Sequence, residues 1–142
     1  MSAPGAIPAD GGAQEIRRLL TARNPALERA QERLAKALPR GLWMESRPKL
    51  RLVVDPAVVE ALKQLRNVYR GLWARIDAID TDRHVAKRQV LEGIELLNAS
   101  FTLLLRSTET TSYSAGLWSI REAKARQARA SAELNQAVKE LA

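Results

Sequence analysis

Acidic residues gather in the middle of the chain, where their carboxylates could bind a cation or exchange protons. Three aspartates lie close together, one histidine follows them, and two glutamates lie one helical turn apart: Asp77, Asp80, Asp82, His84, Glu92 and Glu95. A hard cation needs several carboxylate oxygens that converge at about 2.0–2.6 Å. The aspartates flank a predicted junction between helices, where capping is their ordinary role. We therefore predict no metal site and no catalytic residue here.

The composition excludes several other kinds of chemistry. The chain has 142 residues, no cysteine and one histidine. It cannot form a disulfide, a thiolate zinc site or an iron–sulfur cluster, and it cannot supply two imidazoles to one metal. The sequence has no glycine-rich phosphate loop and no Ser/His/Asp arrangement. We expect a protein that is not an enzyme and that needs no cofactor.

Basic side chains are the strongest candidates for binding. The chain carries 23 Lys and Arg against 16 Asp and Glu, a net charge of +7, which favours a polyanionic partner. Lys63, Arg66 and Arg70 have i, i+3, i+7 spacing, so on a helix they lie within about 60° of one another along ~10 Å. No acidic residue occurs at 61–76. We predict phosphate contacts here, with Trp73 as a stacking or interface neighbour.

Two further groups of cations extend this prediction. The group that opens the next predicted helix is Arg83, Lys87 and Arg88. The group in the predicted extended segment is Arg47, Lys49 and Arg51. The last predicted helix is also basic, but its cations spread over its outer half, which is typical of a solvated face. No helix-turn-helix, zinc finger or RNA-binding sheet motif is visible. We expect contacts to the nucleic-acid backbone that tolerate any sequence.

Regular apolar spacing predicts the two central helices. Two stripes repeat at intervals of four and three residues: Val58, Leu62, Leu65, Tyr69, Leu72, Ile76 and Ile79, then Val90, Ile94, Leu97, Phe101 and Leu104. The first stripe predicts a helix over 56–79. Because the phases of the stripes do not match, we predict a turn at 80–82, where Thr81 or Asp82 caps the second helix. A single bent helix over 56–106 is the alternative.

Proline and glycine divide the N-terminal part of the chain. Residues 1–12 are rich in Pro, Gly and Ala, which predicts a flexible tail, and a short helix follows at 13–23. Asn-Pro at 24–25 and Asp-Pro at 55–56 are helix starts, each with an N-cap followed by proline. The segment 39–54 contains helix breakers and alternates at period two, so we predict an extended connector that can hold a short strand.

The C-terminal part completes the predicted architecture. The Ser/Thr-rich stretch 107–114 predicts a loop, and the last helix is expected to start near Ser114 or Ser119. The sequence thus predicts an all-α fold, a helical bundle of four to five helices with one extended connector near 39–54, in a single domain at 13–142. No stretch is apolar enough to span a membrane and the N-terminus lacks a signal peptide, so we expect a cytoplasmic protein.

Four features of the sequence resemble those of a known family: its size, its predicted helix content, its lack of cysteine and two basic rows. The rows are Lys63, Arg66 and Arg70, and Arg83, Lys87 and Arg88. With these features, residues 13–142 resemble, as a class, the small subunits of multi-subunit CRISPR effector complexes. The resemblance implies a helical bundle that stacks in several copies along a filament bearing guide RNA. It also implies that basic side chains contact the target or displaced strand and that the subunit performs no chemistry.

The leading hypothesis is therefore a basic, non-enzymatic subunit of a ribonucleoprotein assembly. It would bind single-stranded or guide–target nucleic acid without sequence preference and pack, in several copies, against a larger protein scaffold. The alternative is a structural or adaptor bundle, such as a component of a phage virion or a secretion machine. In that case the basic rows would contact acidic protein surfaces.

Overall fold

The predicted all-α bundle is confirmed. A computed structural model describes residues 10–37, 43–46, 51–54, 56–109 and 113–142. These residues form five helices and one pair of strands: α1 (Gly11–Thr21), α2 (Pro25–Ala37), β1 (Trp43–Ser46), β2 (Arg51–Val54), α3 (Pro56–Asp77), α4 (His84–Ser107) and α5 (Tyr113–Leu141). Among the described helices, none has both the length and the apolar character needed to cross a membrane.

Each of the long helices α4 and α5 is antiparallel to the long helix before it, so α3, α4 and α5 alternate in direction. Lys87 at the start of α4 bonds the carbonyl of Asp77 at the end of α3, and Gly93 early in α4 lies against Leu134 late in α5. A Cβ at Gly93 would lie 2.9 Å from the Leu134 side chain, so glycine permits the close approach of α4 and α5. Because α2 packs on α3 and α1 packs on α5, the two short helices together take the place of a fourth helix.

The hydrophobic core has two clusters, one toward each end of the bundle. The first joins α2 to the beginning of α3, the end of α4 and the beginning of α5, and the second joins α1 to the opposite ends of these helices. Their buried apolar residues are Ala30, Val58, Ala61, Leu62, Leu65, Phe101, Leu104, Leu105, Ile120 and Ala123, and Ala13, Ile16, Ile76, Ala86, Val90, Ile94, Ala137 and Leu141. Every residue of the two predicted stripes is buried or half-buried, so periodicity located both central helices.

Side-chain caps define the starts of the two short helices. Asn24 Oδ1 accepts a hydrogen bond from the Leu27 backbone N–H at 3.2 Å, as the Asn-Pro pair predicts. Asp10 precedes α1 in the left-handed conformation, with φ of 66°, and its Oδ1 accepts from the Ala13 N–H at 3.1 Å. Helix α1 therefore begins two residues earlier than predicted. Residues 1–9 of the predicted tail lie outside the described residues, as does the predicted cap at Asp55.

The turn between α3 and α4 is present, but the predicted cap of α4 is wrong. Arg83 is the capping residue, and its side chain makes no capping bond. The Thr81 hydroxyl instead donates to Asp10 Oδ1 at 2.5 Å and accepts from the Arg83 N–H at 3.0 Å. Thr81 is thus bonded to a residue that precedes α1, a long-range contact that competes with capping.

Two other boundaries refine the predictions. Strands β1 and β2 pair antiparallel, with Trp43 opposite Val54 and Ser46 opposite Arg51, so the predicted extended connector contains a hairpin rather than one short strand. Helix α5 begins at Tyr113. The predicted start near Ser114 is therefore confirmed to within one residue, and the alternative start near Ser119 is wrong because Ser119 lies inside the helix.

Candidate nucleic-acid interface

The α3 row, defined as Lys63, Arg66 and Arg70, lies along one flank of helix α3. Lys63 and Arg70 are exposed and Arg66 is half-buried. None of the three forms a hydrogen bond or an ion pair with any residue that the structure describes. At 1.5 Å per residue the row extends over about 10 Å. It therefore presents three positive charges that the described part of the chain does not neutralise.

The burial of α3 determines which way this flank faces. Leu62 and Leu65 are fully buried, while Gln64 and Val68 line a cleft beside Leu27 of α2. At about 100° per residue, the α3 row lies on the side of the buried stripe that is opposite the α2 cleft. This flank therefore faces the seam between α3 and α4. Arg66 is closest to that seam, which explains why it is half-buried.

The seam also contains polar atoms that are buried without a hydrogen-bond partner. They are Arg66 Nε, Trp73 Nε1 and Asn98 Oδ1. The Tyr69 and Phe101 rings meet across this seam, with their centroids 5.9 Å apart. In antiparallel helices this contact places Asn98, one turn before Phe101, near the level of Trp73, whereas Arg66 lies about two turns away. A buried polar group without a partner costs about 1–3 kcal/mol, so the seam retains polar groups that the fold itself does not use.

Trp73 lies on the same flank, about two turns after Arg66. It is half-buried and packs against the core cluster that contains Ile76 and Val90. A ring packed in this way offers little free face for stacking. Trp73 is thus a packing residue of the core, and both roles predicted for it, stacking or interface neighbour, remain predictions.

The second predicted group is divided by the fold. Arg83 Nε lies 3.6 Å from Asp10 Oδ2, and Arg83 also donates to the carbonyl of Glu140. Lys87 Nζ donates to the carbonyls of Asp77 at 2.9 Å and Ile79 at 2.7 Å. These bonds use both cations to join chain segments.

Arg88 is the member of this group that stays unpaired among the described residues, and it is exposed. Asp10, Thr81, Arg83 and Lys87 all make bonds at the turn between α3 and α4, and we name them the turn network. The hydrogen bond from Thr81 holds the pKa of Asp10 below its ordinary value, with further contributions from the backbone N–H groups and from Arg83. An ionised Asp10 is therefore part of the folded turn network.

The third predicted group is only partly described. Arg51 is the first residue of β2 and lies opposite Ser46, whereas Arg47 and Lys49 lie outside the described residues. Phosphate contacts by these three cations remain a prediction. Within the part of the chain that the structure describes, no three His, Asp or Glu side chains converge to hold a metal ion.

Sequence reasoning missed one feature, the exposed ring of Trp118 in α5. Its relative exposure is 61%, in contrast with the half-buried Trp73. Both tryptophans occur in a Gly-Leu-Trp triplet, so the triplet does not distinguish them. The helical phase does: Trp118 lies about 160° from the buried Ile120 around α5, which places it on the side away from the core.

Comparison with known proteins gives no assignment for this chain. Neither a family model, nor a curated protein, nor a solved structure matches it.

Proposed function

We propose that the chain is a non-enzymatic helical subunit of a ribonucleoprotein assembly and that it contacts nucleic-acid backbone through the α3 row. The observation that carries the proposal is that Lys63, Arg66 and Arg70 lie together on one flank without an ion-pair or hydrogen-bond partner among the described residues. Clustered cations of this kind neutralise phosphates and release counterions, which is the main source of affinity without sequence preference.

Three paired cations of the chain provide a contrast that supports this assignment. Arg18 bonds Glu15, Arg23 bonds Glu28 and Arg126 bonds Glu122. These are ordinary surface pairs, in which each charge is balanced locally. In the α3 row no such balance is described. Arg66 is also half-buried, so its stem is already restricted and loses less side-chain freedom when it binds a phosphate.

The wider setting is part of the same proposal. The resemblance to small subunits of CRISPR effector complexes extends it to a cytoplasmic assembly in which several copies pack on a larger protein scaffold beside single-stranded or guide–target nucleic acid. Support comes from the bundle fold, the small size and the unpaired basic flank. Contact with the backbone alone accounts for binding that does not depend on sequence.

The test is a binding titration of the full chain and of the variant Lys63→Glu/Arg66→Glu/Arg70→Glu. Labelled single-stranded RNA and DNA are titrated between about 50 and 200 mM salt. The native chain is expected to bind at low salt with an affinity that falls steeply as salt rises. The variant is expected to bind about a hundredfold more weakly at low salt, with a shallower salt dependence.

The matched control is Arg17→Glu/Arg29→Glu/Arg33→Glu, which changes the net charge by the same amount at exposed positions on α1 and α2. It is expected to bind much more tightly than the α3 variant. Equal losses in both variants would reject the α3 row as the site. If the native chain does not bind at low salt, the proposal is wrong, and the adaptor bundle with acidic protein partners is favoured.

A further inference from the structure

The exposed Trp118 lies on a face of α5 that no described helix covers. Trp is a large apolar residue, and burying one removes about 150–250 Å² from water. Covering its ring would therefore favour binding, and Trp is enriched where partners bind. The residues around Trp118 indicate the kind of partner that this face favours.

The surroundings of Trp118 are basic. We define the α5 outer face by its exposed residues, Trp118, Arg121, Lys124, Ala125, Ala128, Arg129 and Ala132. At 100° per residue they occupy an arc of about 140° on the side opposite the buried residues of α5. The arc contains no Asp or Glu. Acids lie on the adjoining flank: Glu122 bonds Arg126 at 3.3 Å, and Glu133 lines a depression with Arg129 and with Glu92 and Glu95 of α4.

The shape of this face suits an extended ligand. Its three alanines are short, so the surface between the cations is shallow. From Trp118 to Arg129 the face extends over about 16 Å along the helix axis. Arg121, Lys124 and Arg129 have no hydrogen-bond or ion-pair partner among the described residues. A shallow convex face with one exposed ring and three cations that have no described partner can contact several consecutive units of a negatively charged polymer that curves around the helix.

We propose that the α5 outer face binds single-stranded nucleic acid, with a base stacked on Trp118 and phosphates neutralised by Arg121, Lys124 and Arg129. This inference rests on the proposed function and names the strand form that the chain prefers. An exposed aromatic ring can stack on an unpaired base, whereas the base faces of a duplex are already stacked on one another. The combination of ring and cations is the one used for strands of any sequence.

A second copy of the chain, paired through a two-fold axis, is a poorer occupant of this face. In a two-fold dimer the same patch meets itself, which would place two sets of like charges opposite each other without an acid between them. Such a contact is repulsive. Charge complementarity therefore favours a polyanion.

The experiment measures the contribution of the bases separately from that of the phosphates. An oligothymidylate of about 15 nucleotides and an abasic strand with the same number of phosphates are titrated against the native full-length chain and Trp118→Ala. The variant is expected to bind the oligothymidylate about tenfold more weakly and the abasic strand equally well. Quenching of tryptophan fluorescence by the oligothymidylate is expected to be lost in Trp118→Phe and retained in Trp73→Phe.

A second variant tests the cations. Arg121→Gln/Lys124→Gln/Arg129→Gln is expected to lower the slope of log affinity against log salt by about 2, since each lost phosphate contact on a single strand removes about 0.7. Circular dichroism checks that each variant is folded. Unchanged binding of the oligothymidylate by Trp118→Ala, or an equal loss on the abasic strand, overturns the inference.

The two proposals fail in different ways. If the native chain binds neither strand at low salt, the proposed function itself is wrong. If the charge-reversed α3 row weakens binding and Trp118→Ala does not, only the inference about α5 is wrong. Protection of Trp118 by an acidic protein without any effect of the variant on the oligothymidylate also overturns it.

Discussion

The α3 row and the turn network contain cations that look alike in the sequence and have different roles in the structure. Lys63, Arg66 and Arg70 have no partner among the described residues, whereas Arg83 and Lys87 donate to backbone carbonyls. The Asp77 and Glu140 carbonyls belong to the ends of α3 and α5, and the Ile79 carbonyl lies two residues after α3. The last four carbonyls of a helix have no partner within the helix, and its C-terminus attracts positive charge.

The difference between the two groups therefore follows from their distance to a helix end. A cation in the middle of a long helix is surrounded by carbonyls that are already bonded, so no backbone acceptor is free for it and it can bind a partner. A cation that folds against a helix C-terminus satisfies free carbonyls and stabilises the fold. For the α3 row and the turn network, contact with the free carbonyls at a helix end, rather than the number of basic residues, separates cations available for binding from those required for folding.

The largest expected effect comes from Gly12→Ala, which should break the turn network. A Cβ at Gly12 would overlap the Asp80 carbonyl, so α1 must move away from the α3–α4 turn. We expect a loss of about 3 kcal/mol in the free energy of unfolding, as in overpacked cores. Urea unfolding measures it, and Gly71→Ala is the matched control because its Cβ would meet nothing within 4 Å. The control should gain about 0.5–1 kcal/mol; similar results for the two variants would contradict the close contact.

Lys87→Met should have the next largest effect. The change keeps most of the aliphatic stem and removes the two bonds to the Asp77 and Ile79 carbonyls. We expect the free energy of unfolding to fall by about 2 kcal/mol, because hydrogen bonds from charged groups contribute about 1.5–3 kcal/mol. Arg88→Met removes a neighbouring unpaired charge and should change stability by less than about 0.5 kcal/mol. If Arg88→Met is equally destabilising, the bonds of Lys87 are not the cause.

Asp10→Asn tests the turn network through the pH dependence of stability. Because bonds in the fold lower the pKa of Asp10, the ionised form stabilises the folded chain. This contribution is complete above the ordinary pKa of 3.8 and is lost as pH falls through the lowered pKa of the folded state.

Urea unfolding at a series of pH values measures this contribution. The difference in the free energy of unfolding between the native chain and Asp10→Asn should shrink as the solution becomes more acidic. A constant difference between the two chains from neutral pH to below 3.8 would show that the charge of Asp10 does not contribute.

The sequence predicted the elements that depend on local pattern. The stripe from Val58 to Ile79 located α3, and Asn24 capped α2 as its pairing with proline indicated. What it could not predict depends on contacts between distant segments. Thr81 was expected to cap α4, but its hydroxyl bonds Asp10, a residue that local spacing cannot bring near it.

The candidate sites show the same division. Helical spacing correctly placed Lys63, Arg66 and Arg70 on one flank, because that relation lies within one helix. It could not show that Arg83 reaches the Glu140 carbonyl, since the end of α5 is brought there by the packing of the whole bundle. Trp118 was missed for a different reason: its phase around α5 was available, but the outer half of that helix was interpreted as a solvated face.

Arg70→Gln is expected to have the smallest effect on stability and tests the comparison most directly. Arg70 is exposed and unpaired among the described residues, so the free energy of unfolding should change by less than about 0.5 kcal/mol. The slope of log affinity for single-stranded DNA against log salt should fall by about 0.7, the value of one phosphate contact. Lys87→Met should show the opposite pattern, with lower stability and an unchanged slope. If Arg70→Gln instead destabilises the chain and leaves the slope unchanged, cations in the middle of α3 also serve the fold, and distance from a helix end does not separate the two roles.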